Sequence, residues 1–149
     1  MLNYDETIIL DAEELGEGSI GSSYVKDIVP VLTRFGISPA EIKEDFEPES
    51  ERYTVTSQGR TYLVYSAEMD LSEGQNWGNA TFALFDIVNR QLEGSPYRFY
   101  ALNSGNDLTG IFLTIEEREK EVSSSKLRQV DWPYLPGPSH PWYGQLHGR

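Results

Sequence analysis

The sequence predicts an α+β fold: an antiparallel sheet made of two hairpins, packed with about three helices, and closed by an irregular, aromatic and proline-rich C-terminal strap. Three observations predict it. Two pairs of β-branched and aromatic runs are each separated by short polar turns. Apolar residues elsewhere step by three and four. The chain end combines many rings with many prolines. At 149 residues the chain is read as a single domain, with an acidic N-terminal segment over 1–18 and the strap over 130–149.

Ile8, Ile9 and Leu10 form a short apolar run, read as an edge strand running into an acidic, glycine-rich loop to Glu17. Ile20, Tyr24, Ile28, Val31, Leu32 and Phe35 then repeat at helical spacing, with Ser19 or Ser22 as cap and Gly36 where a helix stops. Pro30 lacks an amide proton, so it either kinks this helix or breaks it in two. Residues 40–46 read as a further turn or two of helix. The runs from Tyr53 to Thr56 and Thr61 to Tyr65, around Ser57-Gln58-Gly59-Arg60, read as a hairpin.

Residues 74–78 read as a polar loop, and 79–92 as a second helix with Phe82, Phe85 and Leu92 near one face, ended by Gly94-Ser95-Pro96. A second strand pair, 97–102 and 110–115, flanks the polar turn 103–107. A charged helix over 116–125 follows, with Thr114 as cap and Glu117 three residues later. Four prolines together with Trp132, Tyr134, Trp142 and Tyr143 make the remainder too aromatic for a linker and too proline-rich for a helix.

The charge excludes more than the length does. There are 24 acidic against 12 basic side chains, a net of −12, and residues 1–50 carry −9 of it. Such a surface repels phosphate, so direct nucleic-acid binding and attachment to anionic membranes are both disfavoured. Without cysteine there is no disulfide, thiolate nucleophile or cysteine metal site. The N-terminus carries acids where an export signal carries Lys or Arg, and the reading is an unexported, cytoplasmic protein.

No catalytic or cofactor constellation assembles. The only histidines, His140 and His147, lie near the chain end, and no nucleophile elbow precedes them. Gly16-Glu17-Gly18-Ser19-Ile20-Gly21 matches the dinucleotide fingerprint letter for letter, but Glu14 and Glu17 stand where a pyrophosphate would lie and no βαβ unit surrounds it. The expectation is a non-enzyme with no cofactor and no metal. A scatter of aspartates, Asp5, Asp11, Asp45 and Asp70, has no spacing that demands a cation. Asn79-Ala80-Thr81 is a glycosylation acceptor in letters only and reads as a helix N-terminus.

Binding remains. Glu41, Glu44, Asp45, Glu47, Glu49 and Glu51 place six acids in eleven residues, countered by Lys43. Crowded like charge favours an oppositely charged partner. The segment from Asp70 to Trp77 adds Asp70, Glu73 and an aromatic anchor. The expected partner-binding residues are therefore Glu41, Glu44, Asp45, Glu47, Glu49, Asp70, Glu73 and Trp77.

Phe99-Tyr100-Ala101-Leu102-Asn103, Gly105-Asn106-Asp107-Leu108, Asp131-Trp132-Pro133-Tyr134 and His140-Pro141-Trp142-Tyr143-Gly144 together resemble the signature of small acidic bacterial immunity proteins, those encoded beside polymorphic or contact-dependent toxins. The resemblance spans residues 76–147. It implies a one-to-one inhibitor that binds and neutralises a cognate toxin domain with a basic surface, often a nuclease, and it carries no family site residue. The alternative is a small enzyme or ligand-binding domain with a pocket walled by the aromatic strap. A third reading is an assembly protein that homodimerises through a strand edge.

Overall fold

The computed structural model describes residues 7–67, 73–103, 105–123 and 132–137. The fold is α+β. Its strands are β1 (Ile8–Ile9), β2 (Lys43–Glu47), β3 (Arg52–Ser57), β4 (Arg60–Tyr65), β5 (Tyr97–Leu102) and β6 (Thr109–Thr114). Its helices are α1 (residues 12–34), α2 (Glu73–Gln91) and α3 (Ile115–Ser123). The two hairpins do not share one sheet, as the sequence suggested. They form separate antiparallel sheets, ordered β1-β6-β5 and β2-β3-β4.

The division follows from α2. Ala80, Ala83, Leu84, Phe85, Ile87 and Val88 are all buried, so this helix hides nearly its whole circumference and packs on several elements at once. Asn79, Phe82 and Asp86 meet the β3-β4 hairpin: the Tyr62 hydroxyl donates to Asp86 at 2.5 Å, and the Tyr62 and Phe82 rings meet edge to face. Phe85 and Asn89 meet β5, where Phe85 stacks on Phe99 at 4.5 Å. A single core cluster around α2 includes residues from both sheets and from α1.

The β3-β4 hairpin turns through Gln58 and Gly59, both at positive φ, as a two-residue hairpin turn requires. At the far end of the pair, Tyr53 faces Tyr65 while Thr54 faces Leu63, which leaves Val64 as an extra residue. The Val64 carbonyl accepts from Asn79 Nδ2 at 3.1 Å. Asn79 itself lies inside α2, which starts at Glu73. The expected loop over 74–78 is helix.

Two further expectations fail on the N-terminal side. Residues 40–46 are not helical: Lys43–Glu47 pairs in full with β3, from Lys43 opposite Thr56 to Glu47 opposite Arg52. Tertiary pairing overrides the helix propensity of glutamate and lysine there. Helix α1 starts at Ala12 rather than after Ser19, because Asp11 caps it, accepting from the Glu13 amide at 2.9 Å and the Glu14 amide at 3.4 Å.

Helix α1 is irregular throughout. It bends at Gly18, where φ is +120°, and it widens over Tyr24–Ile28, where the Val29 amide reaches back five residues to the Tyr24 carbonyl. That wide turn leads into Pro30, which stands in the first turn of the last helical stretch, where its missing proton costs little. The helix ends as expected at Gly36, with φ +80°. The Gly36 amide donates to Thr33 and the Ile37 amide to Leu32, both at 3.0 Å.

The expected capping box opens α3: the Glu117 amide donates to Thr114 Oγ1 at 3.0 Å and the Thr114 amide to Glu117 Oε1 at 2.8 Å. In the strap, Tyr134 pairs with Ala101 of β5. His140, Trp142, Tyr143 and His147 lie outside the described residues.

Candidate partner interface

Strand β2 sorts the acidic run by parity. Lys43, Asp45 and Glu47 are exposed on the outer face, whereas Glu44 and Phe46 turn toward α1. The turn that follows, with Glu51 at φ +49°, holds Glu49 and Glu51 in solvent. Glu41 is also exposed, and its carbonyl accepts from Ser57 Oγ at 2.8 Å.

Glu44 has a structural task. Its carboxylate accepts from the Tyr53 hydroxyl at 2.5 Å and lies against Gly21 of α1. Burial first, and then the hydrogen bond to Glu44 and its negative charge, hold the Tyr53 phenol well above its ordinary value. Phe46 stacks on Tyr53 with ring centroids 4.3 Å apart and 2° between planes. The tip of the same Phe46 ring rests over Gly18.

The fingerprint-like glycines thereby find their use. A Cβ on Gly16 would stand 3.1 Å from Trp77 Cδ1, one on Gly18 2.8 Å from Phe46 Cζ, and one on Gly21 2.3 Å from a Glu44 oxygen. Each glycine admits a side chain from another element against the helix backbone, a packing role that shares only its letters with phosphate binding.

Tyr65 completes the surface. The bulge at Val64 sets Tyr65 beside Tyr53, with centroids 5.6 Å apart. Phe46, Glu47, Pro48, Glu51, Arg52 and Tyr65 line one depression of about 440 Å³. Gly16, Glu17, Tyr65, Asn76 and Trp77 line a second of about 290 Å³. Tyr65 belongs to both, so the two adjoin and join the acidic strand to the start of α2.

Of the expected contact residues, Glu47 and Trp77 thus meet one aromatic-floored surface. Asp45 and Glu49 lie exposed on the strand and turn beside it, and Glu41 precedes the strand. Trp77 is half-buried and packs on the core as well. Asp70 and the Glu73 side chain lie outside the described residues. Glu17, Phe46 and Tyr65 were not foreseen. The alternation of Glu44 and Phe46 with Lys43, Asp45 and Glu47 is the available signal for Phe46, whereas a bulge leaves no mark in a single sequence.

Asp11 and Asp45, two of the scattered aspartates, sit on α1's cap and on β2. No group of three or more metal-ligating side chains occurs among the described residues, and no described helix is long and apolar enough to cross a membrane. No known protein family, no curated protein and no solved structure matches this chain.

Proposed function

We propose that this chain is a non-enzymatic inhibitor of the immunity type, an acidic protein that binds a basic toxin domain in the bacterial cytoplasm and covers its working surface. One observation carries the reading: Glu17, Glu47 and Glu51 rim two adjoining depressions floored by Phe46, Tyr65 and Trp77, with Asp45 and Glu49 exposed alongside. Aromatic anchors within a charged rim are the anatomy of protein interfaces, where rings supply affinity and charge supplies encounter rate and partner choice. A nuclease, whose own site must be basic to hold phosphate, is a fitting target.

Mixing the chain with the product of the adjacent upstream gene tests this. The expected result is a one-to-one complex on sizing chromatography whose association rate falls as salt rises. Asp45→Lys combined with Glu47→Lys and Glu49→Lys should slow association at least tenfold. Absence of a complex at micromolar concentration and low salt overturns the proposal.

A further inference from the structure

Along β5, the edge away from β6 is sealed group by group. The Tyr97 amide donates to Ser95 Oγ at 3.2 Å, and its carbonyl accepts from Arg98 at 2.6 Å. The Phe99 amide and carbonyl bond to the side-chain amide of Asn89 at 2.7 and 3.0 Å. Ala101 exchanges two hydrogen bonds with Tyr134 at 2.7 and 3.0 Å, and the Tyr134 hydroxyl donates to the Asn103 carbonyl at 2.5 Å. Strand β2 is one of the two edge strands of the other sheet. Among the described residues, the backbone of Lys43–Glu47 bonds to β3 alone.

We infer that this open edge of β2 receives an extended basic segment of the partner as a fourth strand of the β2-β3-β4 sheet. The inference rests on the proposed function for the partner's charge and adds the manner of its docking. Unpaired donors and acceptors along an edge are a template for strand addition, and the side chains beside them choose the strand.

On the outer face, Asp45 and Glu47 select Lys or Arg at positions two apart, since directly opposed residues come within about 5 Å. On the inner face, Phe46 is 49% exposed and offers an apolar residue of the incoming strand a ring to cover. The fitting segment therefore alternates basic with apolar residues. A second copy of this chain is the rival occupant. Two antiparallel β2 strands centred on Asp45 would pair Lys43 with Glu47, but they set Asp45 against Asp45 and join two chains of net charge −12. The charges favour the basic strand.

The test uses the full chain and a synthetic ten-residue peptide in which Lys and Arg alternate with Val and Thr. A second peptide has the same sequence with alternate backbone amides N-methylated. Affinity is read by fluorescence anisotropy at low salt, and edge protection by amide hydrogen exchange. The expected outcome is that the unmodified peptide binds, slows exchange at alternate residues of Lys43–Glu47 at least tenfold, and outbinds the N-methylated peptide at least tenfold.

Equal affinities, or unchanged exchange on binding, overturn the inference and reduce the contact to side-chain charge. The proposed function then survives if the triple lysine variant still slows association with the toxin at least tenfold. Failure of both peptides to bind also overturns the inference, while the mixing experiment decides the function separately. A dimer of the free chain with the same amides protected assigns the edge to a second copy and overturns it as well.

Discussion

The β1-β6-β5 sheet and the β2-β3-β4 sheet have three strands each and the same antiparallel pairing, but they meet their surroundings differently. In the first, Phe99 and Ala101 enter the main core, while Tyr100, Leu102, Ile111 and Leu113 form a second buried cluster. Its β5 edge is closed by side chains and strap. In the second, Tyr53, Val55, Tyr62 and Val64 are buried, and the exposed side of β2 carries charge. Burial on both faces with the β5 edge closed suits the first sheet to a structural task, whereas the second, charged on one face and with no described partner on the outer edge of β2, keeps the means to bind.

Ring truncation should expose the contrast most strongly. Phe99 is fully buried, stacked on both Phe85 and Phe112 at 4.5 Å, and Phe99→Ala should cost about 3 to 5 kcal/mol by denaturant titration. Phe46→Ala, at the half-exposed ring of β2, should cost about 1 kcal/mol. Equal costs would break the comparison.

Added methyl groups come next. A Cβ on Gly110 would stand 2.3 Å from Phe99 Cζ, a ring with nowhere to move, so Gly110→Ala should cost about 1 to 3 kcal/mol. Gly21→Ala meets an equally close atom, but that atom is the end of a glutamate that can swing toward solvent. Its gain in helix propensity of about 0.5 to 1 kcal/mol offsets the lost Tyr53 hydrogen bond of about 1 kcal/mol. The expected change is near zero.

Alkali acts on Tyr53. Its folded pKa is raised, so above pH 10 the unfolded chain releases the phenol proton while the folded chain retains it. The stability that this provides is complete below pH 10 and declines above it, by up to about 1.4 kcal/mol per pH unit, until the folded group ionises. Tyr53→Phe should flatten the dependence of the urea midpoint on pH between 9 and 11. An unchanged slope would show that Tyr53 does not carry it.

The smallest effect is expected at the exposed acids. Asp45→Lys with Glu47→Lys should change stability by less than about 0.5 kcal/mol per site, in contrast with its effect on partner association. A large loss of stability would assign these acids to the fold.

Much of this was legible from residue pattern. Gly36 as a stop, the Thr114–Glu117 capping box, the Gln58-Gly59 turn and the two hairpins are local devices, each written in adjacent residues. What escaped depends on contacts distant in sequence. Glu44 looks like its acidic neighbours until Tyr53 and Gly21 close around it, and residues 40–46 look helical until β3 pairs with them. Residues 74–78 are a loop by composition, yet they belong to α2, which starts at Glu73. The separation of the two sheets depends on how much of α2 is buried, which shows only in three dimensions.

The irregularity of α1 bears on the order in which the chain assembles. Three glycines, a bend and a widened turn leave residues 12–34 a poor helix in isolation, and their partners Trp77, Phe46 and Glu44 come from segments later in the sequence. A peptide of residues 7–37 should therefore show little helicity in water. In the intact chain, this helix waits for the strand and the helix that follow it in sequence, and its amides should be among the last to gain protection during refolding.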